Sequence, residues 1–103
     1  MYGAFKALHR AGAELVLTGH DHNYQRFAPM DADGNISSDG LREFVVGTGG
    51  GPNLSDFPNS APNQEARYKG WGVLKLTLSE GGYAWEFISV SDGVVDSGRG
   101  TCH

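Results

Sequence analysis

Two histidines one residue apart, His20 and His22, are the side chains in this 103-residue sequence best placed to do chemistry. They follow a short apolar run, Glu14-Leu15-Val16-Leu17-Thr18, and a glycine, Gly19. Neutral imidazole is a common ligand for zinc and also suits iron and other transition metals. In an extended chain, residues i and i+2 project to the same side, so both rings would face one site while Asp21 points away. In a two-metal site the ions lie about 3.5–4 Å apart, so neighbouring histidines can serve one ion each. Ligands gather at the carboxyl ends of strands in α/β sheets, which is where this pair falls. An isolated His-x-His also fits two solvent-exposed loop histidines, and the residues alone leave both readings open.

The elements that must position this pair are legible around it. Residues 1–11 predict a helix, with Ala4, Leu8 and Ala11 at i, i+4 and i+7 and Phe5 widening that face. Arg10 suits the last turn and Gly12 the left-handed stop after it. Residues 14–18, apolar at the centre and bounded by glycines, predict a strand buried on both faces. Residues 29–40 carry Pro29, Asp33-Gly34-Asn35 and Asp39-Gly40, which is turn chemistry. Leu41 to Val46 predicts a strand running into the glycine-rich residues 47–51. Residues 52–70 show no clear period and predict a long surface loop.

The last third alternates strongly. Leu74, Leu76 and Leu78 alternate with Val73, Lys75 and Thr77, and Tyr83, Trp85 and Phe87 with Ala84, Glu86 and Ile88. Gly81-Gly82 separates these strands. Asp92-Gly93 suits a type I′ turn into Val94-Val95, completing a three-stranded antiparallel meander. One helix and so few strands offer limited cover for Leu15, Val16, Leu17, Trp71, Trp85 and Phe87. Part of this core is therefore expected to pack against further sequence.

Composition narrows the function classes. The formal net charge is −4, and no Lys/Arg cluster occurs, which argues against binding a nucleic-acid backbone. There is no basic amphipathic stretch for a membrane surface and no apolar run near the roughly 20 residues that span one. The single cysteine, Cys102, cannot form an intrachain disulfide or a cysteine-based zinc site. The run Gly47-Thr48-Gly49-Gly50-Gly51 is either a backbone anion nest or a flexible turn. It is no Walker P-loop, because no Gly-Lys-Ser/Thr follows. The order of residues gives no support to serine-hydrolase chemistry.

The wider string is more specific. Gly19-His20-Asp21-His22-Asn23-Tyr24-Gln25-Arg26-Phe27, after its apolar strand, resembles the final metal-binding motif of the calcineurin-like metallophosphoesterases. It is most similar to the purple acid phosphatase group, whose motif reads G-H-x-H-x-Y-x-R. Softer likeness continues through Phe44 to Gly50, Trp71 to Phe87, and Asp96-Ser97-Gly98. The resemblance implies that residues 1–103 are one partial domain, the C-terminal part of a four-layer α/β/β/α sandwich. That fragment would be mostly antiparallel strands with one N-terminal helix, an α+β piece of an α/β fold.

It further implies a phosphate-ester substrate and a two-metal centre. His20 would bind the second metal (zinc or manganese, sometimes iron) and His22 the first (ferric iron), with other divalent ions in other members. A metal-bound hydroxide would attack the phosphate. Tyr24 and Arg26 would either contact substrate, Arg suiting bidentate oxyanion binding, or pack and pair structurally. Enzymes of this group are frequently exported, so the resemblance points to a secreted or periplasmic setting.

The family's earlier motifs, including G-D-x-x and G-N-H, are absent. His9 matches none of them, and Asp31 and Asp33 read as turn formers. The chain alone is therefore expected to be catalytically incomplete and to need the N-terminal part of the catalytic domain as its partner. The alternative is a non-catalytic β-rich module that folds alone and binds a metal or a protein.

Overall fold

Helix α1 (Tyr2–Arg10) stops at Gly12, which takes a φ of +81°. The Gly12 N–H bonds the His9 carbonyl at 3.1 Å and the Ala13 N–H bonds the Leu8 carbonyl at 3.0 Å, the paired closure expected of a glycine stop. The computed structural model describes residues 2–57 and 61–103, the side chain of Tyr2 excepted. Met1, at the head of the expected helix, and residues 58–60 of the expected loop lie outside them.

The strands β1 (Leu15–Thr18), β2 (Tyr24–Phe27), β3 (Arg42–Val46) and β4 (Gln64–Tyr68) form one sheet in the order β1-β3-β2-β4. β1 runs parallel to β3, and β2 runs antiparallel to both β3 and β4. The strands β5 (Gly72–Ser79), β6 (Gly82–Ser89) and β7 (Gly93–Thr101) form the expected antiparallel meander. One short helix and two mostly antiparallel sheets make this an α+β unit, as the alternation and the resemblance both predicted.

The two sheets meet face to face. Along β6 the alternation sends Tyr83, Trp85, Phe87 and Ser89 inward. Tyr24 of β2 stacks on Phe87 with ring centroids 4.2 Å apart, and Phe44 of β3 meets Trp85 edge-on at 5.5 Å. Burying each such ring contributes about 2–3 kcal/mol relative to leaving it in water. β7 presents no large side chain to these aromatics. Gly98 and Gly100 lie opposite Trp85 and Tyr83, and a Cβ on either would come within 2.4 Å of the ring it faces.

A half-buried polar network lies beside this aromatic core. Asp96 accepts bonds from Tyr24 Oη at 2.5 Å, Arg26 Nε at 2.9 Å and Trp85 Nε1 at 3.2 Å. Glu65 pairs with Arg26 and with Arg42, the latter at 2.6 Å. Both guanidinium groups lie about 5 Å from the centre of the Trp85 ring. Two β-bulges make these reaches possible. Glu65 falls between Ala66, opposite Arg26, and Gln64, opposite Phe27. Val95 falls between Asp96, opposite Phe87, and Val94, opposite Ile88. An unpaired extra residue of this kind re-aims the side chains next to it.

Three expectations are corrected. β1 is not buried on both faces: it is the edge of its sheet and Leu17 is 52% exposed. The expected loop over 52–70 contains strand β4, whose inward residues are Ala66 and Tyr68 and whose outward ones are charged. The β6–β7 turn is not type I′, because only Gly93 of the pair has positive φ; Ser89 Oγ instead accepts the N–H groups of Ser91 and Asp92.

Candidate metal-ligating site

The two histidines lie in the connection between β1 and β2. Because β3 stands between those strands, this connection passes over the carboxyl end of β3. The Gly47 N–H bonds the Asn23 carbonyl at 3.2 Å and fixes the crossing. The fit there is tight: a Cβ on Gly47 would lie 2.0 Å from the Asp21 carbonyl oxygen and 2.7 Å from that of Gly19. Gly47→Ala must therefore move backbone on both sides. It is expected to cost about 1–3 kcal/mol, read as a lowered urea midpoint. A midpoint equal to the parent's would contradict this packing.

The geometry corrects the extended-chain expectation. Residues 20–23 bend rather than run straight, so the same-side projection of i and i+2 does not apply to them. His20 is exposed. His22 is half-buried and held at several points. Its Nδ1 lies 2.7 Å from the Asn53 carbonyl oxygen, and its backbone N–H bonds Ser55 Oγ at 2.9 Å. The Ser55 N–H returns a bond to the His22 carbonyl at 2.9 Å. Asn23 beside it is buried, donating from Nδ2 to the Ser55 carbonyl at 3.3 Å and accepting from Gln25 Nε2 at 2.8 Å.

Two carboxylates lie near the turn. Glu43 of β3 accepts a bond from Thr18 Oγ1 at 3.3 Å. Burial raises its pKa, the neighbouring Asp21 charge adds to the rise, and the Thr18 bond only partly offsets it. The glycine-rich residues 47–51 are anchored rather than free. Thr48 is buried and exchanges bonds with Gly72, Oγ1 to carbonyl at 2.9 Å and carbonyl from N–H at 3.1 Å.

Tyr24 and Arg26 have their polar ends engaged within the protein, as described for the Asp96 network. Burial, then the bond to Asp96, raises the Tyr24 pKa well above the usual phenol range. Burial disfavours the Arg26 charge, but Asp96 and Glu65 outweigh it and its pKa rises. His9 lies in α1 away from the turn, Asp31 organises its own loop by accepting the N–H groups of Asp33 and Asn35, and His103 pairs with Glu14.

The turn offers part of a ligand set. A carbonyl oxygen only accepts, so the His22 Nδ1 must donate to Asn53, leaving the Nε2 lone pair for a metal. Among the described residues no group of three or more His, Cys, Asp or Glu is placed to hold an ion. A closed site needs donors beyond His20 and His22. Against the turn lies an apolar groove of about 430 Å³, lined by Leu17, Val46, Val73, Leu74 and Leu76 among others. Asn53 and Ser55 carried no signal in the sequence beyond polar residues in a segment without apolar period, and Asp96 stood out only as part of the softer likeness in Asp96-Ser97-Gly98.

With this geometry in view, the chain resembles the C-terminal part of a phosphoesterase of the purple acid phosphatase group. Two particular proteins carry the likeness. Among solved structures, the chain is similar to the purple acid phosphatase PPD1 from seeds of yellow lupin (Lupinus luteus). The TM-score is 0.72 at 28% identity, covering 85% of this chain and 17% of that one. Among curated proteins, it is similar to a nucleotide pyrophosphatase/phosphodiesterase of Hordeum vulgare, 29% identical over 100 residues. That match covers 87% of this chain and 27% of that protein. The chain thus spans well under a third of either relative. No protein-family model matches it.

Proposed function

We propose that this chain is the segment of a phosphoesterase that contributes His20 and His22 to a two-metal centre, and that phosphate esters are the substrate. The observation that carries this is the half-buried His22, whose Nδ1 is committed to a backbone carbonyl so that Nε2 is left as the donor. Similarity to a purple acid phosphatase and to a nucleotide phosphodiesterase supports the reaction class.

Each part of the chain has a task in this scheme. His20 and His22 supply imidazole donors at the end of the β1-β3-β2 sheet. Glu43 and Asp21 add negative potential that favours a cation there. Asp96, through Tyr24 and Arg26, holds the strand on which the histidine turn rests. His20 and His22 would hold metal ions, iron together with zinc or manganese suiting this ligand type, which would supply a lowered water pKa and stabilisation of the charge on phosphate. The remaining donors come from the N-terminal part of the catalytic domain. It seats on the open edge of β1 and in the groove beside Leu17 and Val73, which are 52% and 58% exposed.

A chimaera tests the whole reading. The segment of the barley enzyme that aligns with this chain is replaced by the chain itself, and hydrolysis of an aryl phosphodiester and an aryl phosphomonoester is measured. Retained turnover of at least one ester is expected. A folded, metal-loaded chimaera that hydrolyses neither, while the parent does, would end the proposal.

A further inference from the structure

We infer that residues 51–55 are a positioning clasp that sets both the tautomer and the ring plane of His22. The inference rests on the reading of His22 as a metal ligand and adds what prepares it. Three features converge on this one side chain. The Asn53 carbonyl takes the Nδ1 proton at 2.7 Å. Ser55 makes two backbone-directed bonds to His22, receiving its N–H on Oγ and donating its own N–H to the His22 carbonyl, each 2.9 Å long. Gly51 forms the floor under the ring: a Cβ built there would lie 2.7 Å from Cε1 and 3.0 Å from both ring nitrogens.

The three contacts restrict different freedoms. The Ser55 bonds fix the backbone from which the ring springs. Gly51 leaves the ring a plane that only a residue without a side chain allows. Asn53 then selects which nitrogen carries the proton, so Nε2 meets a ligand as a lone pair without prior rearrangement. A ligating histidine whose other nitrogen is held by a carbonyl is oriented and made more basic, and losing such a partner typically weakens metal binding about 10–100-fold.

The neighbouring glycine provides a matched control. Gly49 belongs to the same glycine run, yet a Cβ there would meet nothing within 4 Å. Neither Gly49 nor Gly51 has the positive φ that would itself penalise alanine. Gly51→Ala and Gly49→Ala thus introduce the same methyl, one into the His22 ring and one into open space.

The experiment is long-range 15N–1H correlation of the histidine rings in the full chain at pH 8, before and after adding zinc chloride. In the parent and in Gly49→Ala, His22 is expected as the Nδ1–H tautomer. In Gly51→Ala the ring is expected to lose that single tautomer, and zinc affinity to fall by about tenfold or more. Ser55→Ala is expected to give an intermediate result. An Nε2–H tautomer in the parent, or a Gly51→Ala spectrum identical to the parent's, overturns the clasp. If the tautomers behave as expected but zinc perturbs neither His20 nor His22, the clasp stands and the ligand role proposed above falls.

Discussion

Replacing Asp96 with alanine is expected to lower the stability of the chain by about 1–3 kcal/mol, the usual cost of leaving buried hydrogen-bond donors without their acceptor. The substitution strands three donors at once: the Tyr24 hydroxyl, the Trp85 indole N–H and the Arg26 guanidinium. Tyr24 is completely buried and Trp85 nearly so, so their donors lose an acceptor within the sheet interface. Against a total of about 5–15 kcal/mol for a domain, the loss is large. Asp96→Asn, which keeps an acceptor but removes the charge, should be milder. Urea unfolding followed by tryptophan fluorescence reads both, and a parental midpoint for Asp96→Ala would refute the role given to this network.

The same network sets the pH limits. Burial alone would raise the Asp96 pKa, but bonds from Arg26, Tyr24 and Trp85 outweigh it and hold the folded carboxyl below its ordinary 3.8. The unfolded chain therefore takes up that proton first. The contribution is complete above about pH 4 and is lost as the pH falls through the folded value. At the alkaline end the raised Tyr24 pKa acts in the opposite sense. The unfolded phenol ionises first, near its ordinary 10.0, and stability falls as the pH climbs past that point. Denaturant midpoints taken across pH should show both flanks, and Tyr24→Phe should flatten the alkaline one.

The second large effect concerns turnover. In the barley chimaera, His20→Ala and His22→Ala are each expected to cut hydrolysis on the order of 10²-fold or more, since each removes a donor from the metal centre. Stability should barely change for His20, which is exposed and makes no hydrogen bond to a described residue. His22→Ala also gives up the Asn53 bond and should lose about 1 kcal/mol. Tyr24→Phe, which surrenders only one bond to Asp96, should leave turnover close to the parent. Parental turnover in both histidine variants would remove the basis for the proposed centre.

What could be read from the sequence follows from where the signals are local. The meander was legible because β6 alternates the aromatics Tyr83, Trp85 and Phe87 with Ala84 and Glu86, and a period of two needs no partner to be seen. Helix α1 was legible from its spacing and its glycine stop. Strand β4 was missed because its inward positions are a small Ala66 and a lone Tyr68, which give too weak an alternation to register. The far half of β7 was missed for a related reason: its inward residues are Asp96, Gly98 and Gly100, shaped by the rings they face rather than by their own hydrophobicity. The histidine pair stood out by residue type and position. Its clasp did not, because Asn53 acts through a backbone carbonyl, an atom that any residue at that position would offer.

The strand order has a consequence for how the chain reaches this state. β3 lies between β1 and β2 in space but follows both in the chain. The histidine turn is therefore a bridge across a strand made roughly 20 residues later, and closing that loop has an entropic cost that non-local contacts must offset. During synthesis the two imidazoles emerge before the strand that pins them. Without residues 42–46 in place, β1 and β2 have no strand between them to fix the span of the turn. The arrival of β3 thus closes the span of the turn, and only the later docking of residues 51–55 gives His22 its defined geometry.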